Sequence, residues 1–100
     1  MTAPGLEPIV DCTARDGGWH CSVFLGETEH SVQVDRETLD GLAPGRTPDD
    51  LVRASFTFLL EREPPESIMR SFELPIIGRF FADYPHEMRR RMGGSGQTSG

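Results

Sequence analysis

The sequence predicts an α+β fold in which a three-stranded antiparallel β-meander is followed by three helices that pack on one face of the sheet. Two observations lead to this prediction. Residues 7–36 alternate apolar and polar side chains with the period of two that a half-buried strand requires. Residues 47–92 instead carry broad apolar stripes that prolines interrupt. The predicted order of elements is therefore β-β-β-α-α-α.

Length and composition indicate one small domain. The chain has 100 residues, of which 36% are hydrophobic, enough for one modest core. We assign the domain to residues 6–92, with the β-meander over 6–36 and the helical half over 47–92. Residues 1–5 and the Gly/Ser-rich tail 93–100 are small and polar, and we predict that both are disordered.

The register of the strands follows from two predicted turns. A turn centred on Asp16 and Gly17, a pair typical of hairpins, places apolar residues opposite each other on one face of the sheet. The resulting pairs are Ala14–Trp19, Cys12–Cys21 and Val10–Val23. A second turn centred on Glu27 and Thr28 places Val23 opposite Val32 and Cys21 opposite Val34. The strands are predicted over roughly 7–15, 19–26 and 29–36.

Three segments bounded by prolines predict the helices that cover this apolar face. The first begins after Thr47, a capping residue, with Pro48 at the first helical position and two aspartates in the first turn. The second and third are predicted over 65–72 and 75–84, and residues 86–92 continue as a frayed helix. Residues 37–46 are predicted to form a loop.

The candidate metal ligands are Cys12, His20, Cys21 and His30, and their spacing argues against a metal site. Structural zinc prefers close cysteine pairs, whereas these cysteines are nine residues apart. His20 and Cys21 are adjacent, so on a strand they point to opposite faces. We predict no metal. The facing cysteines have the geometry for a disulfide, but we favour two buried thiols that pack as small hydrophobic groups.

Charge and hydropathy restrict the location and partners of the chain. The formal net charge of −6 disfavours non-specific binding to nucleic acid or to anionic membranes. No stretch approaches the ~20 apolar residues of a membrane span, and the N-terminus has no signal-peptide pattern. All ten basic residues are arginine, and lysine and asparagine are absent, which suggests a GC-rich bacterial genome. We predict a bacterial, cytoplasmic protein that does not bind membranes.

The candidate anchors of a partner surface are Phe56, Phe58, Phe80 and Phe81. The helical half holds more apolar residues than a cover for the sheet needs, and residues two apart on a helix do not face the same core. Exposed aromatic and aliphatic patches usually mark interfaces. The sequence therefore predicts a non-enzymatic interaction or regulatory module that binds a protein partner or a second copy of itself.

The run Arg89, Arg90 and Arg91 supports an alternative, a nucleic-acid-linked regulator that contacts phosphates. It is the only basic cluster in the sequence. Three charges give weak, salt-sensitive binding, and no aromatic residues lie between them to stack on bases. We therefore favour a solvated helix end, where arginines complement the helix dipole.

Enzymatic function is not predicted. No nucleophile elbow, phosphate-binding loop or dinucleotide fingerprint occurs, and Ser55, Ser67 and Ser71 have no evident histidine partner. Glu61 and Glu63 lie two positions apart near the predicted end of a helix, so they do not share a face. No cofactor is predicted.

Two parts of the chain resemble known families. The segments FLLEREPPESIM (58–69) and FELPIIGRFF (72–81) resemble those of a small uncharacterised bacterial family, which implies no function. More weakly, residues 29–55 resemble HicB-type antitoxins, with Thr47, Asp49 and Asp50 matching the start of a helix in that family. That resemblance implies toxin neutralisation and DNA binding, although no ribbon-helix-helix or helix-turn-helix module follows here.

Overall fold

The computed structural model describes the backbone of residues 7–97 and the side chains of residues 7–92. The fold is α+β, as predicted, and it contains a mixed four-stranded sheet. The strands are β1 (Ile9–Arg15), β2 (Gly18–Leu25), β3 (Thr28–Asp35) and β4 (Ser71–Glu73), in the spatial order β1-β2-β3-β4. β1, β2 and β3 form the predicted antiparallel meander, and β4 pairs with β3 in parallel.

Four helices accompany the sheet among the described residues. They are α1 (Arg36–Leu42), α2 (Pro48–Leu60), α3 (Ile77–Phe80) and α4 (Tyr84–Gln97), with short 3₁₀ turns at Pro65–Ser67 and Leu74–Ile76. The predicted cap of α2 is confirmed, because the Thr47 hydroxyl oxygen accepts a hydrogen bond from the Asp50 N–H at 3.1 Å. α2 packs on β1 and β2, and α4 packs on α1 and α2.

The two hairpins differ in how well the sequence predicted them. The register of β1 and β2 is confirmed at each predicted pair, from Val10–Val23 to Ala14–Trp19. The register of β2 and β3 is displaced by two residues, since Cys21 lies opposite Val32 and Val23 opposite His30. The reason is Gly26, whose φ of 64° suits it to a tight turn. The turn is therefore centred on Gly26 and Glu27, and not on Glu27 and Thr28. A shift of two keeps each side chain on its predicted face.

The segments between the hairpins and α4 require three corrections. Residues 37–46 are not only a loop, because Asp35 caps α1 and its apolar residues Leu39 and Leu42 are buried. The predicted helix 65–72 is a 3₁₀ turn followed by β4, since pairing with β3 overrides local helix preference. The predicted helix 75–84 is divided, with α3 ending at Phe80 and α4 beginning at Tyr84.

The predicted disordered ends are only partly described. α4 continues to Gln97, so residues 93–97 of the tail 93–100 are helical. Residues 98–100 and the N-terminal residues 1–5 lie outside the described residues.

The core lies between the sheet and the helices. Val23, Leu25, Val32 and Val34 are buried on the covered face of the sheet, where α2 packs on β1 and β2, and buried side chains of α4 complete the same core. Gly18 permits the close approach of β2 to β3, because a Cβ there would overlap the Val34 carbonyl oxygen and the Asp35 Cα. The other face carries the polar side chains of the meander, which are exposed or half-buried.

Cys12 and Cys21 form a disulfide, which corrects the prediction of two free thiols. The residues lie directly opposite each other on β1 and β2, with their Cα atoms 3.9 Å apart. Cys21 is buried, and Cys12 is half-buried because β1 is an edge strand. The register that was expected to bring two hydrophobic groups together therefore also brings the two sulfur atoms within bonding distance.

Candidate functional site

The predicted anchors Phe56 and Phe58 belong to the core and not to a partner surface. Both side chains are buried. Phe56 faces the sheet, with its ring 5.5 Å from that of His30 and 6.0 Å from that of Phe72. Phe58 faces the other way, against Phe81 at 5.8 Å and Tyr84 at 5.4 Å. Because α2 is covered on both sides, two residues that do not share a face are both buried, and the prediction is wrong for them.

Phe80 and Phe81 lie elsewhere, beside an apolar groove. Phe80 is 63% exposed and Phe81 is half-buried. The groove has a volume of about 150 Å³ and lies between the end of α2, the segment before β4, and α3. It is lined by Leu59, Glu63, Ser67, Ile68, Met69, Phe72, Ile76, Ile77, Phe80 and Phe81. We call it the β4 groove.

The β4 groove extends along the outer side of β4. A more open depression shares Met69, Phe72 and Ile76 with it and continues to Glu73 and Arg79. Met69 is 42% exposed at the point where the two meet. Phe80 and Met69 are thus large apolar side chains that remain in water at the rim of a concave apolar surface. This arrangement is typical of a site where another chain binds.

His30 fixes the wall of the groove and is not free to bind a metal. Its Nδ1–H donates to the Met69 carbonyl oxygen at 2.7 Å, and its Nε2 lies 2.9 Å from the Thr28 hydroxyl. Both ring nitrogens are therefore engaged, and the buried ring ties the segment before β4 to β3. From the sequence, His30 is only a candidate metal ligand, and no local pattern indicates this contact because its partner is 39 residues away.

The four candidate metal ligands do not come together. Cys12 and Cys21 are bonded to each other, and His20 pairs with Thr13 and Gln33, on the opposite face of the sheet from His30. Among the described residues, no group of three or more His, Cys, Asp or Glu side chains is arranged to hold a metal ion.

Each of the three arginines of the predicted phosphate cluster has a partner within the protein. The Arg89 Nε–H donates to the Gly41 carbonyl oxygen at 3.1 Å. Arg90 and Arg91 donate to the Glu87 carboxylate at 2.9 and 3.2 Å, and Arg91 also reaches Glu61 at 2.9 Å. Hydrogen bonds from Arg90 and then Arg91 hold the pKa of the Glu87 carboxyl below its usual range. Two of the three arginines are therefore paired with acids of the same chain, and the third with a carbonyl oxygen.

Ser55 and Tyr84 form a buried polar pair that the sequence did not reveal. The two hydroxyl oxygens are 2.7 Å apart, and the Ser55 hydroxyl lies 2.8 Å from the Leu51 carbonyl oxygen. Burial raises the pKa of the Tyr84 phenol, so the group is neutral and is a poor base for activating Ser55. Both side chains are buried, so the pair joins α2 to α4 and has no access to a substrate.

The fold and the groove together define a small α+β domain, whose mixed sheet ends in a short parallel edge strand beside an apolar groove. Comparisons with protein-family models, with curated proteins and with solved structures find nothing that matches this chain. Within the described residues, no helix is both long enough and apolar enough to cross a membrane.

Proposed function

We propose that this protein is a small non-enzymatic interaction module and that the β4 groove is its binding surface for another protein chain. The observation that carries the proposal is the position of Met69 and Phe80, two exposed apolar side chains at the rim of one apolar groove. Burying them against a partner contributes about 25 cal/mol for each Å² of apolar surface removed from water.

The neighbouring sheet edge adds directional contacts to this apolar surface. β4 is an edge strand and has only three residues. An extended chain that lies along such an edge forms main-chain hydrogen bonds with it, while its alternate side chains enter the adjoining pockets. The groove therefore suits an extended segment with apolar side chains at every second position.

The alternative function, contact with nucleic acid through Arg89, Arg90 and Arg91, receives less support. Each arginine already has an acceptor within the chain, and Arg90 and Arg91 share Glu87. Phosphate binding there would have to displace these contacts against a net charge of −6.

We also propose a cytoplasmic location, and in that location the fold would have to be stable without the disulfide. Reducing pathways of the cytoplasm keep most cysteines as thiols, whereas a bonded pair is typical of an oxidising compartment. In a reducing setting the sheet would have to persist with Cys12 and Cys21 as thiols. The groove does not depend on this bond, because β1 and β4 are opposite edges of the sheet.

A displayed library of random peptides tests the proposed groove. We expect selection on the wild-type protein to enrich extended sequences with alternating apolar residues. Phe80→Asp should weaken the binding of the enriched peptides at least tenfold, since it places a charge where an apolar contact is made. Affinities are measured by fluorescence anisotropy with labelled peptides at dilute protein.

Ile9→Asp is the matched control for this experiment. Ile9 is 66% exposed, close to the 63% of Phe80, but it lies on β1, at the opposite edge of the sheet. The enriched peptides should bind Ile9→Asp as they bind wild type. Equal loss in both variants, or no enrichment over an unrelated acidic protein, would exclude the β4 groove as the binding surface.

A further inference from the structure

The open edge of β4 has backbone groups available for a further strand. The Arg70 carbonyl oxygen accepts the Ser31 N–H at 2.7 Å, which fixes the phase of the parallel ladder between β3 and β4. In that phase the backbone N–H and C=O of Phe72 point towards β3. The N–H and C=O of Ser71 and the N–H of Glu73 therefore point away from β3. Such groups at an edge are a template for pairing with another chain.

The apolar side chains beside this edge are only partly buried. Phe72 is opposite Val32 and points to the covered face of the sheet, yet it is only half-buried. Met69 and Phe80 flank it and are exposed. A strand added to β4 would place its own inward side chain next to Phe72 and would cover these groups.

The charges along the edge are self-complementary. Glu73 and Arg79 line the same part of the groove, and both are exposed. Neither forms an ion pair within 4.0 Å in the described part of the chain. In an antiparallel pairing about a two-fold axis at Phe72, Glu73 of each copy lies opposite Ser71 of the other, and Ser71 lines the same depression as Arg79, so each acid comes beside the other copy's arginine.

From these three observations we infer that the occupant of the β4 groove is a second copy of this chain. β4 pairs with β4 antiparallel about a two-fold axis beside Phe72, with Ser71 of one copy opposite Glu73 of the other. The two sheets then form one eight-stranded sheet, and Arg79 of each copy meets Glu73 of the other. This inference rests on the proposed function, since it assigns the occupant of the proposed binding surface.

Charge exchange tests this geometry by sedimentation velocity over a range of protein concentrations. We expect the wild type to be a dimer at high concentration and Arg79→Glu and Glu73→Arg to be each at least about tenfold weaker in self-association, because like charges then face each other. An equimolar mixture of the two variants should restore a dimer, since every contact between residues 73 and 79 is then an acid–arginine pair. Circular dichroism confirms that each variant is folded.

Each outcome supports or excludes the inference. A wild type that is monomeric throughout excludes it, as does a dimer that neither single variant weakens or that the mixture fails to restore. If the wild type is monomeric but peptides selected on it lose affinity for Phe80→Asp, the groove binds a different protein and only the second copy is excluded. If no such peptides are found either, the proposed function fails as well.

Discussion

The ionisation of Tyr84 is coupled to folding because its side chain is buried. Tyr84 is the only tyrosine, and its buried hydroxyl has the Ser55 hydroxyl as its partner. Since burial disfavours the phenolate, the pKa of Tyr84 is higher in the folded chain than the value near 10 of the unfolded chain. The stabilisation is complete below pH 10 and is lost as pH rises above it.

We therefore predict alkaline unfolding that depends on Tyr84. The free energy of unfolding should fall above pH 10 by up to about 1.4 kcal/mol for each pH unit. Urea unfolding at several pH values measures this slope, and phenolate absorbance reports on the same group. Tyr84→Phe should be less stable near neutral pH by about 1 kcal/mol, because it loses one hydrogen bond, and should lack most of the alkaline slope. A slope equal to that of wild type would assign the effect to other groups.

His30 shows what residue-level sequence reasoning lacks. On the sequence it is a histidine in an alternating strand, one of four candidate metal ligands whose spacing argues against a metal site. Its role depends on Met69, whose carbonyl oxygen comes from a segment far along the chain. A side chain's chemistry can be inferred from its type, but its partners are set by topology.

At the scale of elements, the N-cap of α1 makes stability sensitive to acid. The Asp35 carboxylate accepts a hydrogen bond from the Thr38 N–H at 2.8 Å. Hydrogen bonds from the Thr38 side chain and backbone lower the pKa of Asp35 below its usual value of 3.8. The carboxylate's contribution is therefore present above about pH 4 and is lost as pH falls through the lowered pKa.

We expect Asp35→Ala to destabilise the protein by about 1 kcal/mol at neutral pH and by less at pH 2. Thermal unfolding at the two pH values measures the difference. Asp35→Asn is the matched control, because asparagine caps a helix as well as aspartate does but does not titrate. It should remain close to wild type at neutral pH. A cost for Asp35→Ala that is the same at both pH values would contradict ionisation as the cause.

The elements that local chemistry defines were predictable from sequence. The first hairpin and the start of α2 depend on turn and capping residues within a few positions, and both are confirmed. β4 was missed because three residues are too few for a periodic pattern, and because its pairing comes from β3. The β4 groove was missed for the same reason, since β4 and α3 create it; Phe80 was the one predicted anchor well exposed at its rim.

At the scale of the whole molecule, the two edges of the sheet differ in their covalent bonds to the neighbouring strand. Both edge strands have one neighbouring strand, but β1 is joined to β2 by the disulfide, whereas no covalent bond joins β4 to β3. The bond closes a short loop around the first turn, with a sequence separation of nine residues. In the chain-entropy model such a loop contributes on the order of 2–3 kcal/mol.

Reduction should therefore lower stability without removing peptide binding. We predict that a thiol reductant lowers the free energy of urea unfolding by about 2–3 kcal/mol. Affinity of the groove for its selected peptides should be unchanged while the protein remains folded. A Cys12→Ala/Cys21→Ala variant should show no response to the reductant. Coincident unfolding curves for the wild type with and without reductant would show that the bond does not stabilise the fold.

Ser31 and Ser71 are far apart in the sequence, and the pairing of β3 with β4 brings them together. The hairpins join residues that are close in the chain and can form early, whereas the groove exists only after the two halves of the molecule have met. A partially folded chain, with its meander complete, would offer no binding surface. A partner that binds the proposed groove would therefore recognise only the native state and would shift the folding equilibrium towards it by mass action.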